Sequence, residues 1–249
     1  MTATLQQWQS VFDTWADADP NVASTGVPQS DLELDALARV LADWLQLRGD
    51  EVALDVGCAN GVLTTRWCRR ARHVVGVDYN QRLVERAQQL VGDAPVSFQR
   101  ADAAALPFPD DRFDAVCCYG VFCCLPDLEF ARRAAHEALR VVRPGARVLL
   151  GGLPDARRRA RFHDLCEAGG RWYSRVLPRR LRWGVKRLLR PGWSPDASGL
   201  LWFDVEDFAA ELRAEGLLVE IHDDPPYADY DRYRRTLVVT KPATERAAR

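Results

Sequence analysis

Two hydrophobic rhythms alternate along the chain. Short apolar runs rich in β-branched residues, Val52–Val56, His73–Val77, a run around Val96, Phe113–Cys118 and Ala146–Leu150, read as strands. Between them the apolar positions fall three and four apart, as on one face of a helix. Leu34, Leu37, Val40, Leu41, Trp44 and Leu45 mark such a face, with Asp31 as the expected cap and Gly49 as the stop. Further helices are expected over 62–70, 81–91, 128–141 and 205–215, with Pro144-Gly145 stopping the third of these and Gly216 the last. Two more strands, 217–221 and 236–240, flank a polar loop around Pro225-Pro226. Strands alternating with helices at this spacing predict an α/β fold, a parallel sheet covered by helices on both faces.

Two stretches depart from the alternation. Residues 4 to about 18 place Leu5, Trp8, Val11, Phe12 and Trp15 at helical spacing before Pro20, so a short helix either packs on the sheet edge or folds over a ligand. Residues 154 to about 200 are rich in Trp, Arg and Pro and read as an inserted helical cap. The expected organisation is a helix or lid over 1–30, a ligand-binding core over 31–153, the insertion over 154–203, completion of the core over 204–241, and a tail over 242–249.

The densest chemistry follows the first strand, in Leu54-Asp-Val-Gly-Cys-Ala-Asn-Gly61. Gly57 and Gly61 admit backbone angles that a side chain disfavours, and a helix N-terminus then offers N–H groups to a polar ligand. Asp55 puts a carboxylate beside the turn. That disfavours a phosphate and suits an amine-bearing ligand, and no Gly-Lys-Ser/Thr follows. Asp78 ends the second strand, where an acid can accept both hydroxyls of a ribose. Asp102 follows the third and can accept from an adenine amino group. Three carboxylates at three successive strand ends fit one adenosine ligand with a cationic partner.

These stretches, with Val75-Gly-Val-Asp78, Ala101-Asp-Ala-Ala-Ala-Leu-Pro-Phe108, Arg112-Phe-Asp-Ala-Val116 and Glu137-Ala-Leu-Arg-Val-Val-Arg-Pro-Gly145, resemble the class I S-adenosylmethionine (SAM) dependent methyltransferases, in the type 11-like subgroup with small-molecule acceptors. The resemblance spans about residues 35 to 155. It implies a Rossmann-like, seven-stranded, mostly parallel sheet with an antiparallel final strand, SAM as cofactor and S-adenosylhomocysteine as product. By the resemblance Gly57 and Gly61 pack the methionine part, Asp78 holds the ribose, and Asp102 with Ala103 frames the adenine. Asp55, Cys58, Ala59 and Tyr79 beside them, and Tyr119 and Gly120 at the end of the fourth strand, where strand ends face the ligand crevice, complete the expected cofactor site. Ala59 stands where the family usually has glycine, which narrows the room at the methionine end.

Composition changes the picture in two places. Seven cysteines, with Cys117-Cys118 and Cys123-Cys124 adjacent, lack the paired Cys-x2-Cys spacing of a zinc site, and neighbours on a strand point to opposite faces. No metal is expected. Formal net charge is −1, yet residues 157–193 hold eleven Arg and one Lys against Asp164 and Glu167. That segment is therefore +10 and the remainder −11. It reads as a solvated cap, as a lure for an anionic acceptor such as a phosphorylated sugar or an acid, or as a peripheral membrane contact through 172–193. No recognised nucleic-acid module appears. The N-terminus lacks the basic and apolar regions of a signal peptide, so a cytoplasmic protein is expected.

A hydroxyl acceptor benefits from a base. His163, after the fifth strand, and Tyr119, at the end of the fourth, are the candidates. The expectation is methyl transfer from SAM to a small-molecule or saccharide acceptor, at oxygen rather than nitrogen. The alternatives are a lipid or quinone methyltransferase at a membrane surface and a SAM-binding protein without chemistry.

Overall fold

The computed structural model describes residues 11–14, 16–17, 21, 29–162, 199–225 and 233–243. Its regular elements are α1 (Asp31–Trp44), β1 (Val52–Val56), α2 (Thr64–Trp67), β2 (His73–Asp78), α3 (Gln81–Leu90), β3 (Val96–Arg100), β4 (Phe113–Tyr119), α4 (Leu128–Val141), β5 (Val142–Pro154), α5 (Val205–Ala214), β6 (Leu218–Asp223) and β7 (Arg234–Thr240). The strands form one sheet in the order β3-β2-β1-β4-β5-β7-β6. β1 to β5 pair in parallel, and β7 runs antiparallel between β5 and β6. The seven-stranded, mostly parallel sheet expected from the sequence is therefore present.

The buried faces explain the layers. α1, α2 and α3 cover one side through Leu37, Leu41, Trp67, Val84 and Ala87, against Ala53, Ala115, Cys117 and Leu149 of the sheet. α4 and α5 cover the other through Ala131, Ala135, Ala138, Phe208 and Leu212, against Leu54, Val116, Cys118 and Leu150. Each fully buried large apolar side chain contributes roughly 1.5–3 kcal/mol relative to exposure. Small alanines on α4 let that helix lie close to the strands.

Two local expectations are corrected. Ser30, not Asp31, caps α1. Its Oγ accepts from Glu33 N at 3.3 Å and its N–H donates to Glu33 Oε2 at 2.7 Å, a reciprocal capping box, and Asp31 lies in the first turn. The helix expected over 62–70 is a four-residue α2 followed by a tighter 3-10 turn, Cys68–Arg70. The glycine turn persists to Leu63, because Asn60 Oδ1 accepts from Val62 N and Gly61 has φ +77°. α4 ends at Val141, as expected from the sequence, with Pro144-Gly145 beginning three residues beyond it. The pair sits inside β5, where the β4–β5 register shifts, and such irregularities tolerate proline.

The sequence order reverses between β1 and β4, since β1 pairs with β2 on one side and β4 on the other. The crevice outside the carboxyl ends of strands at such a switch point is where open α/β sheets bind ligands. The 154–203 stretch leaves and rejoins the sheet at one neck: Phe203 N donates to Pro154 O at 2.9 Å and Ala156 N to Phe203 O at 2.7 Å. Arg157 and Arg158, the first cations of the basic segment, pair with Asp204 at 2.9 Å and Asp223 at 2.6 Å. They fasten the neck. Residues 163–198, which include His163 and the 172–193 segment, lie outside the described residues.

Candidate active site

The turn after β1 is held from both sides. Gly57 N and Cys58 N donate to Val77 O at 2.7 and 3.0 Å, tying the turn to β2. Gly57 has φ +76°, and a Cβ there would lie 2.2 Å from Val121 Cγ2, so only glycine fits. Ala59 also takes a positive φ, +48°, a conformation that costs a β-carbon-bearing residue roughly 1–2 kcal/mol. Its N–H is compensated by donating to Asp78 Oδ2 at 2.9 Å.

Around this turn stand the sequence-predicted acids. Asp55 is buried and accepts from Thr64 Oγ1 at 2.6 Å. Burial raises its carboxyl to about 7, against the lowering pull of Thr64, with the charge of Asp78 adding to the rise. Asp78 Oδ1 accepts from Asn80 N at 2.8 Å, and burial raises this carboxyl too, its backbone hydrogen bonds opposing the rise. Asp102 lies beyond β3, its Oδ1 accepting from Ala104 N at 2.9 Å, with Ala103 between them. Ala101 N donates to Asp78 O at 3.0 Å, which ties the two acids' loops together. Tyr79 is exposed, with the Arg100 guanidinium 5.2 Å from its ring centre. The described N-terminal residues dock at this corner. Asn80 Nδ2 donates to Asp13 Oδ1 at 2.7 Å, Arg82 pairs with Asp17 at 2.8 Å, and Arg86 Nε donates to Ala16 O at 3.1 Å.

The crevice continues past the ends of β4, β5 and β7. A Cβ on Gly151 would meet Tyr119 Cδ2 at 2.4 Å, so the ring can approach β5 this closely only because that residue is glycine. Among the described residues, a Cβ on Gly120 would meet nothing within 4 Å. Tyr119 Oη donates to Asp224 Oδ2 at 3.1 Å, and Thr236 Oγ1 donates to Asp224 Oδ1. Asp224 is buried. Desolvation raises its carboxyl, while the Thr236 hydrogen bond, the Arg234 charge and the Tyr119 hydroxyl pull it back. Arg234 is itself buried, with Nη1 3.6 Å from a Cβ on Gly152.

Of the two base candidates, Tyr119 is therefore at the crevice, and His163 lies outside the described residues. Sequence reasoning missed Asp224, Arg234 and Thr236. Their signal was weak: Asp224 is a strand-end acid before Pro225-Pro226, and its partner Tyr119 is 105 residues away. The other histidines are accounted for elsewhere. His136 faces Glu215 at 3.0 Å, His73 Nε2 is 3.0 Å from Ser97 Oγ, and His222 stacks 5.2 Å from Trp44. Among the described residues no group of three or more His, Cys, Asp or Glu is arranged to hold a metal ion. Among them, too, no helix is long and apolar enough to cross a membrane.

Comparison with known proteins shows what this chain is similar to. Residues 54–150 match the family model described as a methyltransferase domain. The chain is 37% identical over 116 residues to 27-O-demethylrifamycin SV methyltransferase of Amycolatopsis mediterranei (strain S699), covering 45% of this chain and 42% of that one. It is 35% identical over 102 residues to demethylmenaquinone methyltransferase of Clavibacter sepedonicus, covering 40% of each. The matches thus span less than half the length of these relatives. Among solved structures, the [4+2]-cyclase SpnF superposes with a TM-score of 0.65 at 20% identity over 98% of both chains, which shows the shared fold. Residues 54–150 are thus similar to a methyltransferase domain, and the fold is the one this solved structure shares.

Proposed function

We propose that this protein transfers a methyl group from SAM to a hydroxyl of a small-molecule acceptor. The observation that carries the oxygen assignment is the Tyr119–Asp224 hydrogen bond, 3.1 Å long, at the strand end that also packs Val121 on the glycine turn. SAM supplies a methyl carbon made electrophilic by its sulfonium.

The residues around the turn suit that molecule. Asp55 and Asp78 are carboxylates in a low-dielectric pocket, where a cationic ammonium or sulfonium lowers the cost of their ionisation. Asp78 would take the ribose hydroxyls and Asp102 with Ala103 the adenine edge. Gly57, Cys58, Ala59 and Gly61 would line the methionine part, with Tyr79 at the ribose rim and Tyr119 and Gly120 beside the methyl. Tyr119 donates its proton to Asp224, so its oxygen is an acceptor toward an incoming hydroxyl. As the acceptor oxygen bonds the methyl, its proton passes to Tyr119 and the Tyr119 proton to Asp224. Such positioned proton transfer contributes typically about 10²–10⁴-fold. Arg234 beside Asp224 opposes the rise that burial imposes on that carboxyl and favours an acceptor that carries or develops negative charge.

The acceptor class is tested by incubating the purified protein with SAM and a panel of phenols, quinols, hydroxy acids and phosphorylated sugars, and reading S-adenosylhomocysteine release. Turnover of amines alone would overturn the oxygen assignment. SAM binding without product from any class would favour the non-catalytic alternative. The similarity to a demethylmenaquinone methyltransferase keeps a quinol at a membrane surface as the second reading. Replacing Arg179 and Arg180 with Glu separates the roles of the basic segment. Loss of binding to anionic liposomes supports the membrane reading. A raised KM for a soluble anionic acceptor, weakened by salt, supports the electrostatic lure. A cytoplasmic location is part of the same proposal.

A further inference from the structure

The molecule contains two pairs of adjacent cysteines, and the fold treats them oppositely. Cys117 and Cys118 are consecutive on β4, so their side chains leave opposite faces of the sheet, Cys117 among Ala53 and Leu149 and Cys118 among Val116 and Leu150. Cys123 and Cys124 lie in the 3-10 turn Phe122–Cys124 just after β4, where the backbone coils tightly. There the two sulfurs approach to 3.6 Å. Cys123 is buried and Cys124 is partly exposed, so the pair is open to a small solute from one side.

We propose that Cys123 and Cys124 are a reversible oxidation site, which closes to an intramolecular disulfide with a hydroperoxide as oxidant and thereby loosens the cofactor site. Either thiol can donate across the 3.6 Å contact to the other, and the partly exposed Cys124 opens the path to solvent. One sulfur of the pair, as thiolate, attacks the peroxide oxygen, the O–O bond breaks, and the leaving alkoxide or hydroxide takes up a proton. The second sulfur then displaces the hydroxyl of the resulting sulfenic acid as water, its own proton going to that water. Two thiols are oxidised and one peroxide is reduced. Adjacent Cα atoms are about 3.8 Å apart, short of the roughly 4.4–6.8 Å usual for a disulfide, so the bond is strained and easily reduced again.

The turn is placed so that this closure reaches the ligand crevice. Drawing the sulfurs from 3.6 Å to the roughly 2.05 Å of a disulfide must shift the turn's backbone. That turn follows Val121, whose Cγ2 fills the space beside Gly57. It also holds Cys123 Sγ 3.1 Å from Gly120 O, and Cys123 O accepts from Leu201 N at 2.9 Å. The loss of SAM affinity rests on the proposed cofactor site; the formation of the bond does not.

The test uses the full chain, hydrogen peroxide near stoichiometric amounts, mass spectrometry of peptides after alkylation, and calorimetric titration with SAM. The expected result is loss of two hydrogen masses from the peptide holding Cys123 and Cys124, Cys117 and Cys118 remaining alkylatable after denaturation. SAM affinity should fall about tenfold or more and return with dithiothreitol. Cys124→Ser should bind SAM normally and show no reversible loss. Recovery of both thiols, over-oxidation, or bonding only between chains would overturn the oxidation site. A disulfide with unchanged SAM affinity would overturn the coupling. If the reduced protein binds no SAM, the cofactor reading fails while the mass measurement still decides the thiols.

Discussion

The two halves of the crevice are built differently. On the β1–β2–β3 side, the groups that meet come from neighbouring pieces of chain: Asp55 meets Thr64 nine residues on, and Ala59 meets Asp78 nineteen residues on. On the β4–β5–β7 side, Tyr119 meets Asp224 across 105 residues, and Gly152 N meets Thr236 across 84. The first half repeats one device, a parallel strand ending in an acid. The second uses the antiparallel β7 to return late residues to the end of β4. The first half is therefore fixed within one stretch of chain, whereas the second depends on loops far apart in the sequence.

That division predicts where substitutions separate binding from turnover. Asp224→Asn should have the largest effect, lowering kcat for a hydroxyl acceptor by about 10²–10⁴-fold with SAM affinity unchanged. Burial raises the Asp224 carboxyl, and the relay needs it ionised. The wild-type rate should therefore fall as pH drops through that raised value, and the variant should lose this acid limb. Equal losses of kcat and SAM affinity would erase the distinction between the halves.

Asp55→Asn tests the other side through stability. The folded carboxyl titrates at about 7, whereas an unfolded one titrates near 4, so the folded state binds the extra proton between them. By linkage, stability of the ligand-free protein falls as pH rises through that window, by roughly 3–4 kcal/mol at most. The asparagine variant should be more stable than wild type above pH ~7 and show a flatter profile in pH-dependent denaturation.

Asp78→Ala should weaken SAM binding by about 1.5–3 kcal/mol, the scale of hydrogen bonds to a charged group, with turnover at saturating SAM reduced far less. Calorimetry on the folded variant decides it; unchanged affinity would remove the ribose assignment. The smallest effect is at the turn. Ala59→Gly should relieve the positive φ and stabilise the ligand-free protein by up to about 1 kcal/mol in denaturant titration. Elemental analysis of protein purified without added metal should show no stoichiometric zinc or iron. Near-stoichiometric zinc or iron would refute the metal-free expectation.

The legibility of these features follows their physics. β1, β2 and β4 were readable because buried parallel strands are continuous apolar runs. The acids that follow β1's core and close β2 were readable because their partners lie in the next turn. The cap of α1 was misassigned by one residue because serine and aspartate both cap, and only the reciprocal bond to Glu33 distinguishes them. The end of α4 was readable from Pro144-Gly145 just beyond it, but that the pair lies inside β5 was not, since the irregular start of that strand accommodates it.

By itself the sequence determined the alternation of strands and helices, the glycine turn and the three strand-end acids, since each depends on spacing and on residues within a turn or two. Only the tertiary structure decided that Asp224, Arg234 and Thr236 stand beside Tyr119, and that Cys123 and Cys124 face each other while Cys117 and Cys118 do not. The first depends on which edge of the sheet β7 joins. The second depends on whether an adjacent pair sits on an extended strand, which alternates its side chains, or in a tight helical turn, which can bring them together.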